Sequence, residues 1–203
     1  MEKGNGWVGR RVVENRHAGE RIVIKTSCAE SGGASMVFDT YLKPGGGVAF
    51  PHYHAIKSES LRMKRGEILV TLGNGDTKRL RAGDEFELPP GTVHSLVNDT
   101  TEEVHYEGEY RPGLCSDEWF MKVHAAEDQL GRELTLIELA AHLTKEVDIY
   151  PAKPSRWVVR VTLAVLAVIS RLIGKDRVML EAADAWHRAR ERGPEVIAPD
   201  PVS

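Results

Sequence analysis

Between residues 20 and 110 apolar and polar positions alternate with period two, the pattern of strands that bury one face. Residues 8–13 and 20–27 read as strands, the second with Ile22 and Ile24 set against Val23 and Lys25. Residues 36–42 place Met36, Phe38, Thr40 and Leu42 on one side, expected inward, and Val37, Asp39 and Tyr41 on the other. Residues 68–72 lead into Gly73-Asn74-Gly75-Asp76, a strong hairpin signal, and 78–80 return. Short strands follow at 86–88 and 94–97. Residues 103–110 alternate cleanly: Val104, Tyr106 and Tyr110 face one way, His105, Glu107 and Glu109 the other. The polar face is expected outside. The opposite register would turn His105 and Glu107 toward the interior.

After Arg111-Pro112-Gly113 the pattern changes to the helical period. Helices are predicted over 117–126, 135–145, 157–173 and 176–192. The first opens on Ser116 or Asp117 with acids in its first turn, which suits the helix dipole. The second has Thr135 with Glu138 three residues on, a capping-box arrangement. Pro151 and Pro154 separate it from the third, Gly174 ends the third, and Gly193-Pro194 stops the fourth. The third carries Val158, Val161, Val165, Val168 and Leu172 at spacings of three and four, a packing seam. That seam is expected to bury against the strands, the other helices or a second subunit, with peripheral membrane attachment the lesser reading. Its uncharged run, 161–170, is about half the length that spans a bilayer, so no transmembrane span is expected. Three parts are predicted: a β domain over 1–112, a helical extension over 113–193, and a disordered tail over 194–203. Residues 1–6 read as loose.

Composition changes this picture little. The chain has 203 residues, 27 basic and 30 acidic, a net charge of −3. Nucleic acid is not an expected partner, since Lys64-Arg65 is too short for a basic patch. The two cysteines, Cys28 and Cys115, lie far apart. Reduced thiols and a cytoplasmic location are the simpler expectation. The first residues, MEKGNGWVGRR, do not read as a signal peptide.

The candidate chemistry sits at residues 46–66 and 83–98. His52 and His54 are separated by one residue, so in an extended strand they project to the same face. Glu59 follows, and His94 comes after a Pro-x-Gly turn. Imidazole with carboxylate suits first-row transition metals. The four are read as the protein ligands of one ion.

Both stretches resemble the two signature motifs of the cupin superfamily. Gly46, His52, His54, Glu59 and Gly66 match G-x5-H-x-H-x3,4-E-x6-G, and Gly83, Pro89, Gly91, His94 and Asn98 match G-x5-P-x-G-x2-H-x3-N. The resemblance covers about residues 35–110. It implies a mainly β fold, a double-stranded β-helix of the jelly-roll type with the metal inside, here with a C-terminal α-helical extension. It also implies that His52, His54, Glu59 and His94 are the metal ligands. The glycines and prolines are expected to shape turns that deliver the ligands.

Three imidazoles and one carboxylate occupy four positions, so an octahedral divalent ion (Fe, Mn, Ni, Co, Cu or Zn) keeps two for water or substrate. Phe38, Met63, Leu96 and Tyr106 are expected to line an apolar pocket around it. Glu59 is a candidate catalytic base if it leaves the metal, and His105 if it faces inward. The expected function is a metal-dependent enzyme on a small metal-chelating organic molecule, either dioxygenase or isomerase/cyclase. The alternative is a non-catalytic module that binds or senses such a ligand. A homodimer is expected, since cupins commonly pair through outer strands.

Overall fold

The structure, a computed structural model, describes residues 11–114, 117–143 and 147–191. The strands are β1 (Val12–Asn15), β2 (Glu20–Thr26), β3 (Met36–Leu42), β4 (His52–Tyr53), β5 (Ser58–Arg65), β6 (Glu67–Leu72), β7 (Thr77–Arg81), β8 (Glu85–Leu88), β9 (His94–Val97) and β10 (Val104–Arg111). The helices α1 (Asp117–Leu130) and α2 (Leu136–Leu139) follow, then β11 (Tyr150–Pro151), α3 (Arg156–Leu172) and α4 (Arg177–Glu191).

Two antiparallel sheets face each other. One has the order β1-β2-β3-β10-β5-β8 and the other β11-β4-β9-β6-β7. This is the jelly-roll barrel with a helical extension that the motifs imply. Strand parity is as read: Met36, Phe38, Thr40 and Leu42 are buried in β3, and Val104 and Tyr106 in β10. Two cores result. Leu42, Leu61, Ile68, Val70, Leu88 and Val104 fill the space between the sheets. Val13, Ile22, Met36 and Phe38 instead pack with Met121, Ala125, Met179 and Trp186 from α1 and α4. Phe38 lies so close to β10 that a Cβ on Gly108 would sit 2.5 Å from its ring, so only glycine fits there.

Asp128 pins the helices to the barrel. Its buried carboxylate accepts bonds from the Arg16 backbone N–H (2.9 Å) and guanidinium (2.8 and 2.9 Å), from Trp186 Nε1 (2.8 Å) and from Arg190 (3.0 Å). Burial opposes its charge, but these donors prevail and hold its pKa below the usual carboxylate value.

Several expectations are corrected. The second helix is only Leu136–Leu139, although Glu138 does accept the Thr135 N–H at 2.9 Å as the capping box requires. Residues 150–151, read as a break, form β11 and pair with β4, so the extension contributes to a barrel sheet. The seam of α3 is not buried within the chain: Val161 is 44%, Val165 55% and Leu172 80% exposed, while Val159 and Ser170 face inward. Cys28 is buried and disulfide-bonded rather than reduced. The chain's other cysteine, Cys115, lies outside the described residues, as do residues 1–6 and the tail 194–203.

Candidate metal centre

Three backbone devices bring the motif residues together. Strands β4 and β9 place His52 directly opposite His94. Glu59, second in β5, reaches across from the other sheet, where it pairs with Leu88 and Tyr110. The Gly91 N–H, in the turn before β9, bonds the His54 carbonyl at 2.6 Å and ties the two motifs to each other. Asn98, last of the motif residues, is structural: its side-chain amide donates to the Leu42 and Glu102 carbonyls. Gly47 is required by close approach, since a Cβ there would meet the Leu96 carbonyl oxygen at 2.5 Å.

His52, His54, Glu59 and His94 are all buried, and one ligand atom from each lies within 4.8 Å of the others. The outer nitrogens are committed. His52 Nδ1 donates to the Phe50 carbonyl at 3.0 Å, His54 Nδ1 to that of Asp148 at 2.7 Å, and His94 Nδ1 to that of Thr92 at 2.9 Å. With carbonyls as acceptors, each Nδ1 carries the proton, and in a neutral ring Nε2 is then a lone pair. Two of those Nε2 atoms point at Glu59 Oε2, His94 at 3.1 Å and His54 at 3.4 Å. Lone pairs facing a carboxylate repel unless a proton or cation lies between them. His54 Nε2 is also buried without a hydrogen-bond partner. The four residues therefore fit a divalent cation, with the carbonyl-anchored imidazoles that metal centres use to orient ligands.

The electrostatics agree. Burial, then the neighbouring His94, pushes His52 down to about 4, so it stays neutral. Burial acts against the Glu59 charge, yet contacts with His54 and His94 hold its pKa well below the usual range. Burial lowers His94, but the Glu59 carboxylate outweighs it and raises the pKa. The cluster is thus an anionic oxygen among imidazoles, ready for a positive charge.

The other sequence-predicted residues divide. Met63, Leu96 and Tyr106 pack together in the core between the sheets. Tyr106 is buried and its hydroxyl is held protonated, by burial first and then by Glu20 and Glu59. Phe38 belongs to the other core, against Tyr110 (5.1 Å between centroids) and Phe120 (5.8 Å). His105 takes the outward register: it stacks on Tyr41 at 4.2 Å and its Nε2 lies 3.1 Å from Asp39. The inward alternative, which would have made it a catalytic base, is corrected, because β10 points Val104 and Tyr106 inward and odd and even positions cannot share a face.

Three neighbours were not read from the sequence. Tyr110 lies 5.2 Å from the His54 ring, its hydroxyl held protonated by burial and by Glu59. Lys57 is buried, with Nζ 3.2 Å from the Val147 carbonyl and 5.0 Å over the Tyr110 ring. Burial pushes its ammonium down to about 8, against the pull of Asp148 and Glu59. Asp148 accepts the backbone N–H groups of Ala55 (3.1 Å), Ile56 (2.8 Å) and Lys57 (2.9 Å), while its carbonyl receives His54. Tyr110 was legible as an inward residue by parity. Asp148 had no local signal, because it acts across more than ninety residues of chain.

Residues 38–107 match the family model described as the cupin domain. No curated protein matches the chain. Among solved structures, an uncharacterized protein with a double-stranded β-helix domain from Klebsiella pneumoniae is 22% identical, with 53% of this chain and 82% of that one covered and a TM-score of 0.41. KdgF from Halomonas sp. is 22% identical over 46% of this chain and 81% of that one, TM-score 0.40. A sugar phosphate isomerase of the cupin superfamily from Silicibacter pomeroyi is 20% identical over 50% and 69%, TM-score 0.42.

Proposed function

We propose, for a chain that belongs to the cupin superfamily through its barrel, that it is a metal-dependent enzyme acting on a small organic molecule with a chelating oxygen pair. One observation carries this: three buried imidazoles, each anchored through Nδ1, converge with one carboxylate to within 4.8 Å. A closed structural site uses up its ligand positions, whereas four protein ligands leave an octahedral ion two. His52, His54, Glu59 and His94 would hold the ion, which supplies Lewis acidity toward a carbonyl, enol or carboxylate oxygen.

The chain's own groups favour isomerase or cyclase chemistry over dioxygenase chemistry. Proton transfer at a chelated carbonyl needs a buried donor or acceptor near the cluster. Tyr110, protonated and with its ring beside His54, and Lys57, held to about 8 and lying over that ring, are such groups. Lys57 positions Tyr110 and keeps positive charge near the bound anion, while Met63, Leu96 and Tyr106 exclude water from the barrel side. A homodimer through the barrel's outer strands accompanies this reading.

The test has two stages. Elemental analysis of purified protein should find one transition metal per chain, lost in His52→Ala. Metal-loaded protein should then convert hydroxy- or oxo-acid and sugar-acid candidates equally well with and without dioxygen. Turnover that requires dioxygen would move the assignment to dioxygenase. Tight ligand binding with no turnover in either atmosphere would make the protein a binding module.

A further inference from the structure

We propose that α3 docks on the surface of an anionic lipid bilayer, its outer face among the acyl chains and its arginine edge against lipid phosphates. The inference is independent of the metal centre. Its first basis is an apolar face with nothing over it among the described residues. Trp157 (73% exposed), Val161, Val165, Val168 and Leu172 lie on the side of α3 opposite the buried Val159 and Ser170. A helix apolar on both its inner and its outer sides needs a second apolar phase as well as the protein core.

Its second basis is charge. Residues 152–180 hold six basic side chains and one acidic one, a net +5 in a chain of net −3. The rest of the protein is therefore strongly acidic, and the positive charge is concentrated around this helix. Arg160 and Arg171 fall on the same edge of α3, beside the apolar face. With Arg156 they line a cavity of about 790 Å³ whose remaining walls include Leu163, Ala164 and Ala167. Arg156 Nη2 donates to the Tyr150 hydroxyl, but its Nε is buried without a hydrogen-bond partner. A basic, partly apolar cavity next to an apolar helix face suits a lipid headgroup phosphate with its chain alongside.

Length and charge choose among occupants. Seventeen residues span about 25 Å at 1.5 Å per residue, short of the hydrocarbon core, and no single described helix is long and apolar enough to cross a membrane. The helix therefore lies along the interface, with Trp157 at one end and Arg171 and Lys175 at the other. A second copy is the poorer partner, because a two-fold pairing sets a net +5 against its own duplicate.

Flotation of the full-length, metal-loaded protein with lipid vesicles tests this. Binding to phosphatidylcholine vesicles containing phosphatidylglycerol should exceed binding to phosphatidylcholine alone by about tenfold or more, and should fall as salt is raised. Val165→Glu/Leu172→Glu should abolish binding to both, with metal content and far-ultraviolet circular dichroism unchanged. Arg160→Glu/Arg171→Glu should remove the preference for anionic vesicles. Absent binding, or equal binding to both vesicles, overturns the proposal. So does a dimer in light scattering that becomes monomeric in Val165→Glu/Leu172→Glu, which would give the face to a second copy.

Discussion

At the scale of single residues, the centre depends as much on what holds the imidazoles as on the imidazoles themselves. Losing a ligand should be decisive: His94→Ala should weaken metal binding well beyond tenfold while the protein stays folded, as read by elemental analysis beside thermal melting. Asp148 is the more informative test. Its carboxylate satisfies three buried N–H groups and its carbonyl anchors His54. Asp148→Ala strands those donors and should cost about 3 kcal/mol in a denaturant titration, with metal affinity falling about 10–100-fold in a competition titration. Asp148→Asn keeps an acceptor and tolerates the positive φ of 45°, so it should lose less. Metal affinity should also fall with acid. The ion competes with protons for the imidazoles, and the Glu59 carboxylate raises the proton affinity of His94. A titration from pH 8 to about 5, around the ordinary histidine value, should show affinity declining as pH drops.

Among elements, what could be read from the chain and what could not divides by range. Strands β3, β6, β9 and β10 were legible because a buried face leaves a period-two trace in consecutive residues. The alternation pointed His105 outward, as found, although the opposite register of β10 stays self-consistent until a partner strand is fixed. The pairing of β11 with β4 was invisible: Tyr150-Pro151 looks like a break, and its hydrogen bonds are made nearly a hundred residues away. The α3 seam was found, but spacing cannot say which side of a helix apolar on two sides meets the core. The short α2 gives a test of its own. Glu138 is held to about 2 by its bonds to Arg132, against the opposition of burial, and the Thr135 N–H lowers it further. A depressed carboxyl stabilises the fold above its unfolded pKa, and that contribution is lost as pH falls through the folded value. Urea midpoints should therefore decline between about pH 4.5 and 2 with a slope that is shallower in Glu138→Gln.

For the molecule as a whole, the metal and the fold should be coupled, since the cluster takes ligands from both sheets. Metal at a hundred times its dissociation constant stabilises the native state by about 2.7 kcal/mol, a rise in melting temperature of about 5–10 °C for a chain of this size. Calorimetry with metal and then with excess chelator should show that rise and its reversal. Trp186→Ala should be costly by another route, removing a buried ring and one donor of Asp128, and should lower stability by about 3–5 kcal/mol without changing metal stoichiometry. The two-residue union of β11 with β4 also decides how the chain can be divided. A protein shortened to end at residue 112 would keep every ligand and both signature motifs, yet would leave the strand bearing His52 bare along one side and His54 without its acceptor. Borrowing this barrel as a portable cassette would carry off the lock and leave its keeper behind.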